Sequence, residues 1–153
     1  MRIFIPLYFA VVTLSAENWP GWRGPNGDGI SNEKIAPKKW SDTKNIAWKK
    51  PIQGKGHSSP IVWGDRVFVT TSLTDQNERR LLCLDRLTGK ILWNNLVVKS
   101  LPESIHRLNS RASGTPATDG RQIYVTFMRA EGKKVIAPNV GSDRMITPGK
   151  IIV

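Results

Sequence analysis

The chain has 153 residues, 39% hydrophobic and 23% charged, with no long single-residue or Ser/Pro tract, a composition that excludes a wholly disordered protein. Lys and Arg number 23 against 12 Asp and Glu, a formal charge of +11 that favours anionic partners in general. The cationic pairs Lys38-Lys39, Lys49-Lys50, Arg79-Arg80 and Lys133-Lys134 fall in separate expected loops and strand ends without interleaved aromatics. That scatter describes a solvated basic surface and argues against specific nucleic-acid binding.

Residues 1–16 have the order of a secretory signal: Arg2, an apolar run from Ile3 to Leu14, then small Ser15 and Ala16 before the polar Glu17-Asn18. The run is short for a membrane span, so no transmembrane anchor is expected after cleavage, and the destination is periplasmic or secreted. Residues 17–44 form an irregular segment in which Trp-Pro-Gly-Trp-Arg-Gly-Pro-Asn-Gly-Asp-Gly, Trp19 to Gly29, is too rich in Gly and Pro for regular structure. We read it as a loop pinned by Trp19 and Trp22. Asn26, Asp28 and Gly29 resemble the middle of a calcium loop, but Gly24 and Ile35 stand where its first and last carboxylates belong.

From residue 45 the pattern is one of short strands bounded by turn residues, without helical periodicity. Strands are expected over Ile46–Ile52, Ser59–Trp63, Arg66–Ser72, Leu81–Asp85 and Lys90–Val98. Gly64-Asp65 joins the second and third as a hairpin. In Arg86-Leu87-Thr88-Gly89, Asp85 is placed to accept from the turn amides and Gly89 to take the left-handed position. The single cysteine, Cys83, lies in an apolar run and reads as a small core residue. Ser58 to Thr70 aligns with Gly114 to Thr126 at an offset of 56 residues, with Pro, Gly, Val and Thr matched and the apolar phase kept. Trp48 and Trp93 echo one another 45 residues apart. Such periods are those of propeller blades, each a four-stranded antiparallel sheet.

The run Cys83-Leu84-Asp85-Arg86-Leu87-Thr88-Gly89-Lys90-Ile91-Leu92-Trp93 resembles the Ala-x-Asp-x-x-Thr-Gly-x-x-x-Trp docking motif of pyrroloquinoline-quinone-like (PQQ-like) propeller repeats, with Cys83 in place of Ala. The Trp19–Gly29 opening, Asn45-Ile46-Ala47-Trp48 and His57-Ser58-Ser59-Pro60 are also similar to the start of exported bacterial propellers of that group. The resemblance covers about residues 17–128 and implies structural roles: Asp85, Thr88 and Gly89 fix the turn between the third and fourth strands, and Trp93 docks on the neighbouring blade. The fold expected is therefore all-β: a partial β-propeller of about two four-stranded blades over residues 45–128, followed by a divergent tail at 129–153 that contains no Trp. A propeller closes with about four to eight blades. An N-terminal fragment of this kind is expected to expose sheet edges and to self-associate.

Catalytic groups are few. His57 and His106 stand beside serines without an orienting acid, and Gly54-Lys55-Gly56 lacks the rest of a phosphate loop. No catalytic residue, metal ligand or cofactor is assigned. Glu103, His106, Arg107, Asn109 and Arg111 form a polar loop suited to face a ligand. The function expected is an exported noncatalytic binding or scaffold propeller with a protein partner, similar in type to outer-membrane assembly factor propellers. The alternatives are part of a quinone-dependent dehydrogenase, whose family carries an adjacent Cys-Cys pair this chain lacks, and a polyanion-binding surface protein.

Overall fold

The computed structural model describes residues 16–34, 36–136, 145–146 and 149–152. The expected signal lies outside these residues apart from Ala16. Among them every regular element is a strand except one 3-10 turn, Thr74–Gln76, and every strand pairing is antiparallel.

The first unit is a four-stranded sheet in the order β1 (Ile61–Trp63), β2 (Arg66–Leu73), β3 (Glu78–Asp85), β4 (Ile91–Lys99). Alternation of side chains across the pleat explains why these segments pair in this register. Ile61, Phe68, Cys83 and Trp93 fall in one cross-strand row, each directly opposite the next. Ile61 and Cys83 are fully buried in that row, and the rings of Phe68 and Trp93 meet at a centroid distance of 5.9 Å. Burial of side chains of this size contributes about 1.5–3 kcal/mol each. Leu81, Ala112, Val125 and Phe127 complete the cluster, so the core lies between the first sheet and the residues of the second repeat.

The second unit starts with the hairpin β5 (Ala117–Thr118) and β6 (Ile123–Tyr124). Its register, Ala117 opposite Tyr124 and Thr118 opposite Ile123, reproduces Ile61 opposite Phe68 and Val62 opposite Val67 at the 56-residue offset. Thereafter the two units differ. β7 (Phe127–Ala130) pairs with β10 (Gly149–Ile152), and a separate hairpin joins β8 (Val135–Ile136) to β9 (Met145–Ile146). The described residues thus hold one four-stranded sheet and three two-stranded ones, and the tail supplies a strand to the second unit.

Three sequence expectations are corrected. Ile46–Ile52 forms no strand: the segment contains Pro51, which has no N–H to give to a ladder, and Trp48 is held through its side chain instead. Trp22 does not pin the N-terminal loop, being 65% exposed with the Arg23 guanidinium over its ring; Trp19 does, through paired backbone bonds to Val62 of 2.8 and 2.9 Å. Arg79 is not part of a solvated basic surface, because it is completely buried in β3. The N-terminal segment also straps the units together: Asn18 Oδ1 accepts from Gly64 N at 2.7 Å, and Pro20 O accepts from Thr118 N at 2.9 Å.

Candidate functional site

In an antiparallel meander the β1–β2 and β3–β4 turns lie at one end of the sheet. The β2–β3 connection and the segments entering β1 and leaving β4 lie at the other. The two groups of residues singled out in the sequence divide between these ends.

At the turn end, Asp85 Oδ1 accepts from Leu87 N at 3.1 Å, Thr88 N at 2.8 Å and Thr88 Oγ1 at 2.7 Å. These bonds, the Thr88 hydroxyl foremost, hold the Asp85 carboxyl below the usual aspartate range. Gly89 N donates to Asp85 O at 2.9 Å, and Gly89 has φ +68°, a left-handed conformation that favours glycine. A side chain there would also collide with the Trp48 ring, 2.5 Å from the position of a Cβ. The Trp48 indole lies over the turn and donates Nε1–H to Arg86 O at 2.8 Å. Sequence reasoning missed this seat, although the Trp48–Trp93 echo had marked both rings. Trp93 projects from β4 onto Phe68 and, with Trp63, Thr118, Gly120 and Ile123, borders the cavity between the first sheet and the β5–β6 hairpin. The Asp85 oxygen that accepts these bonds is thus spent on the turn itself, while Arg86 reaches across to the carbonyls of Ala16, Glu17 and Gly64.

At the loop end, residues 100–116 fold back over the sheet. Glu103 is turned inward: its Oε2 accepts from Arg79 Nη2 at 2.8 Å, and its backbone O accepts from Arg111 Nη2 at 2.6 Å. Arg111 Nε lies 3.3 Å from the same Oε2, within ion-pair range but off hydrogen-bond alignment. The carboxylate is thus clamped between two guanidiniums, in keeping with the rule that buried charges are paired. Arg79 was invisible as a partner because it lies 24 residues from Glu103 in the chain.

Of the other loop residues, His106, Arg107, Asn109 and Arg111 come together on one wall of an open cleft of about 510 Å³. The remaining walls are Gln53–Lys55 and the stretch from Ser72 to Gln76. His106 Nδ1 accepts from Leu108 N at 3.3 Å, and Asn109 Oδ1 accepts from Ser110 N at 2.9 Å and from the Ser113 hydroxyl. His57 is fixed through its backbone N–H to Ala112 O at 3.0 Å. Cys83 is buried, and burial pushes its thiol up, away from the reactive thiolate. Among the described residues no group of three or more His, Cys, Asp or Glu is placed to hold a metal ion, and no helix is long and apolar enough to cross a membrane.

A family model described as outer membrane protein assembly factor BamB matches residues 39–144, more than half of the chain. No curated protein and no solved structure matches. With the repeat register, the Asp85 turn and the antiparallel sheets in place, the chain belongs to this family of PQQ-like β-propeller repeat proteins.

Proposed function

We propose that the chain is part of an exported, noncatalytic propeller that binds protein, with a signal segment at residues 1–16 and a periplasmic or secreted destination. The observation that carries this reading is the state of β4. It is the outermost strand of the first sheet, its outer backbone edge is unpaired among the described residues, and Leu92 and Leu96 on it are exposed. The opposite edge, at β1, is covered by Trp19. An uncovered edge with apolar side chains offers main-chain hydrogen bonds for affinity and side-chain contacts for selectivity. The family description, an assembly factor, fits a protein that works by holding another. In this reading Asp85, Thr88, Gly89 and Trp93 maintain architecture, and the same β4 edge is the route to self-association.

Sedimentation of the purified chain over a concentration series tests the edge. Wild type is expected to associate, and Leu92→Lys/Leu96→Lys to remain monomeric under the same conditions with an unchanged circular dichroism spectrum. Identical association of the two proteins overturns the role of β4. Calcium-dependent quinone binding with dye reduction overturns the noncatalytic reading.

A further inference from the structure

The cleft at the loop end has features that the turn end lacks. Its walls carry three cations, Lys55, Arg107 and Arg111, against one carboxylate, Asp75. Arg111 is committed to Glu103, whereas Lys55 and Arg107 have no acidic partner among the described residues. Lys55 is nevertheless held in place. Its backbone exchanges two 3.0 Å hydrogen bonds with Ser72, and the preceding Gly54, at φ +96°, lies so close to the Ser72 carbonyl that a Cβ would stand 2.6 Å from it. On the opposite wall the Glu103 clamp fixes the guanidinium of Arg111, four residues beyond Arg107.

Behind this wall the sheet is closely packed. Ser72, a cleft-wall residue, is 1% exposed, yet its Oγ has no hydrogen-bond partner among the described residues. Its cross-strand neighbour Arg79 likewise has an unpartnered Nε. Both atoms are sealed behind the wall, so the charged donors open to the cleft are the exposed side chains of Lys55 and Arg107. A cleft of about 510 Å³ is of the size that takes a small molecule.

We infer that this cleft is a binding site for a small oxyanion, a carboxylate or phosphate group held by Lys55 and Arg107. Charge-assisted hydrogen bonds from Lys and Arg supply the attraction, and the tethered Lys55 backbone and clamped Arg111 limit the ordering cost. Asp75, the one carboxylate of the cleft, selects ligands whose remaining groups donate hydrogen bonds. This site is separate from the β4 edge, so either can fail without the other.

Calorimetric titration of the full chain with inorganic phosphate, with citrate and with glycerol tests the inference and distinguishes the two oxyanion sources. Binding of phosphate, citrate or both, none of glycerol, and weakening at high salt are expected. Lys55→Gln and Arg107→Gln should each weaken binding by about tenfold, the loss of one charge-assisted hydrogen bond. Lys133→Gln/Lys134→Gln, a control elsewhere on the basic surface, should bind like wild type. Circular dichroism confirms that each variant is folded. Absence of binding to both anions, or an equal loss in the control, overturns the site.

Discussion

Gly89→Ala separates two contributions that coincide at the docking turn. At φ +68° an alanine costs about 1–2 kcal/mol in backbone strain alone. Its Cβ would also stand 2.5 Å from the Trp48 ring, a distance at which the indole must leave. Displacing the indole removes the 2.8 Å Nε1–H bond to Arg86 O, worth about 1 kcal/mol net, together with the ring's packing on the turn. A loss of about 3 kcal/mol follows for Gly89→Ala by summing these parts. Gly64→Ala is the matched control, since Gly64 also has a positive φ, +54°, but nothing lies within 4 Å of the added methyl. It should lose only the strain, about 1 kcal/mol. Urea unfolding followed by far-ultraviolet circular dichroism gives both values, and repeating the pair in a Trp48→Ala background completes a double-mutant cycle. In that background the excess cost of Gly89→Ala should vanish. An excess that persists without Trp48, or a Gly89→Ala protein no less stable than Gly64→Ala, would refute the seat.

Glu103→Gln leaves Arg79 buried without its counter-charge and is expected to cost about 3–5 kcal/mol by the same unfolding assay, while the double variant Arg79→Met/Glu103→Leu should recover most of the loss. Acid should weaken the turn end in a defined direction. Asp85 has a folded-state pKa lowered by its bonds to Thr88, and Asp119 one lowered by the amides of Gln122 and Arg121. Each therefore contributes stability that is present above the unfolded-state value of about 3.9 and is lost as pH falls through the folded value. Thermal midpoints measured from about pH 5 downward should fall less steeply for Asp85→Asn than for wild type, and equal slopes would count against the Asp85 bonds.

What the sequence made legible was whatever is decided over a few residues. The alternation from Ile61 to Phe68, the Gly64-Asp65 turn and the Asp85–Gly89 turn are local, and their 56-residue echo returns as the same strand register in Ala117–Tyr124. What it concealed depends on partners far along the chain. β3 begins at Glu78 rather than Leu81 because the Arg79 charge, which marked a strand end in the sequence, is neutralised by Glu103 inside the fold. Ile46–Ile52 has strand-like composition, but a ladder needs a neighbour, and its one firmly placed group is the Trp48 ring on a turn 38 residues away. The tail lacks the docking motif yet still pairs Gly149–Ile152 with β7, since backbone pairing asks little of side-chain identity. The polar loop was visible as a cluster of His, Arg and Asn, but not that Glu103 would face inward while Arg107 lined the cleft without an acidic partner among the described residues.

The contact between the two units shows how the repeat works as a building rule. Ser59 N donates to Thr115 Oγ1 at 3.0 Å, a bond between residues that occupy the same place in successive repeats. Thr70 Oγ1 donates to Gly114 O at 3.2 Å, while its equivalent in the second unit, Thr126, lies with its carbonyl 2.9 Å from where a Gly114 Cβ would stand. Ser58, the counterpart of Gly114, instead bonds Thr70 through its hydroxyl, with Thr70 N donating at 3.3 Å. The segments entering β1 and β5 therefore meet β2 and one another through short polar side chains and glycine, which lets backbones approach closely and fixes one unit against the next. Separate close seats occur at the turn end, where Trp48 sits on Gly89 and Trp63 on Gly120. The Thr74–Gln76 turn and the residues from Ile105 to Arg111 lie outside those inter-unit contacts and line the cationic cleft, connecting segments of the kind that carry binding groups.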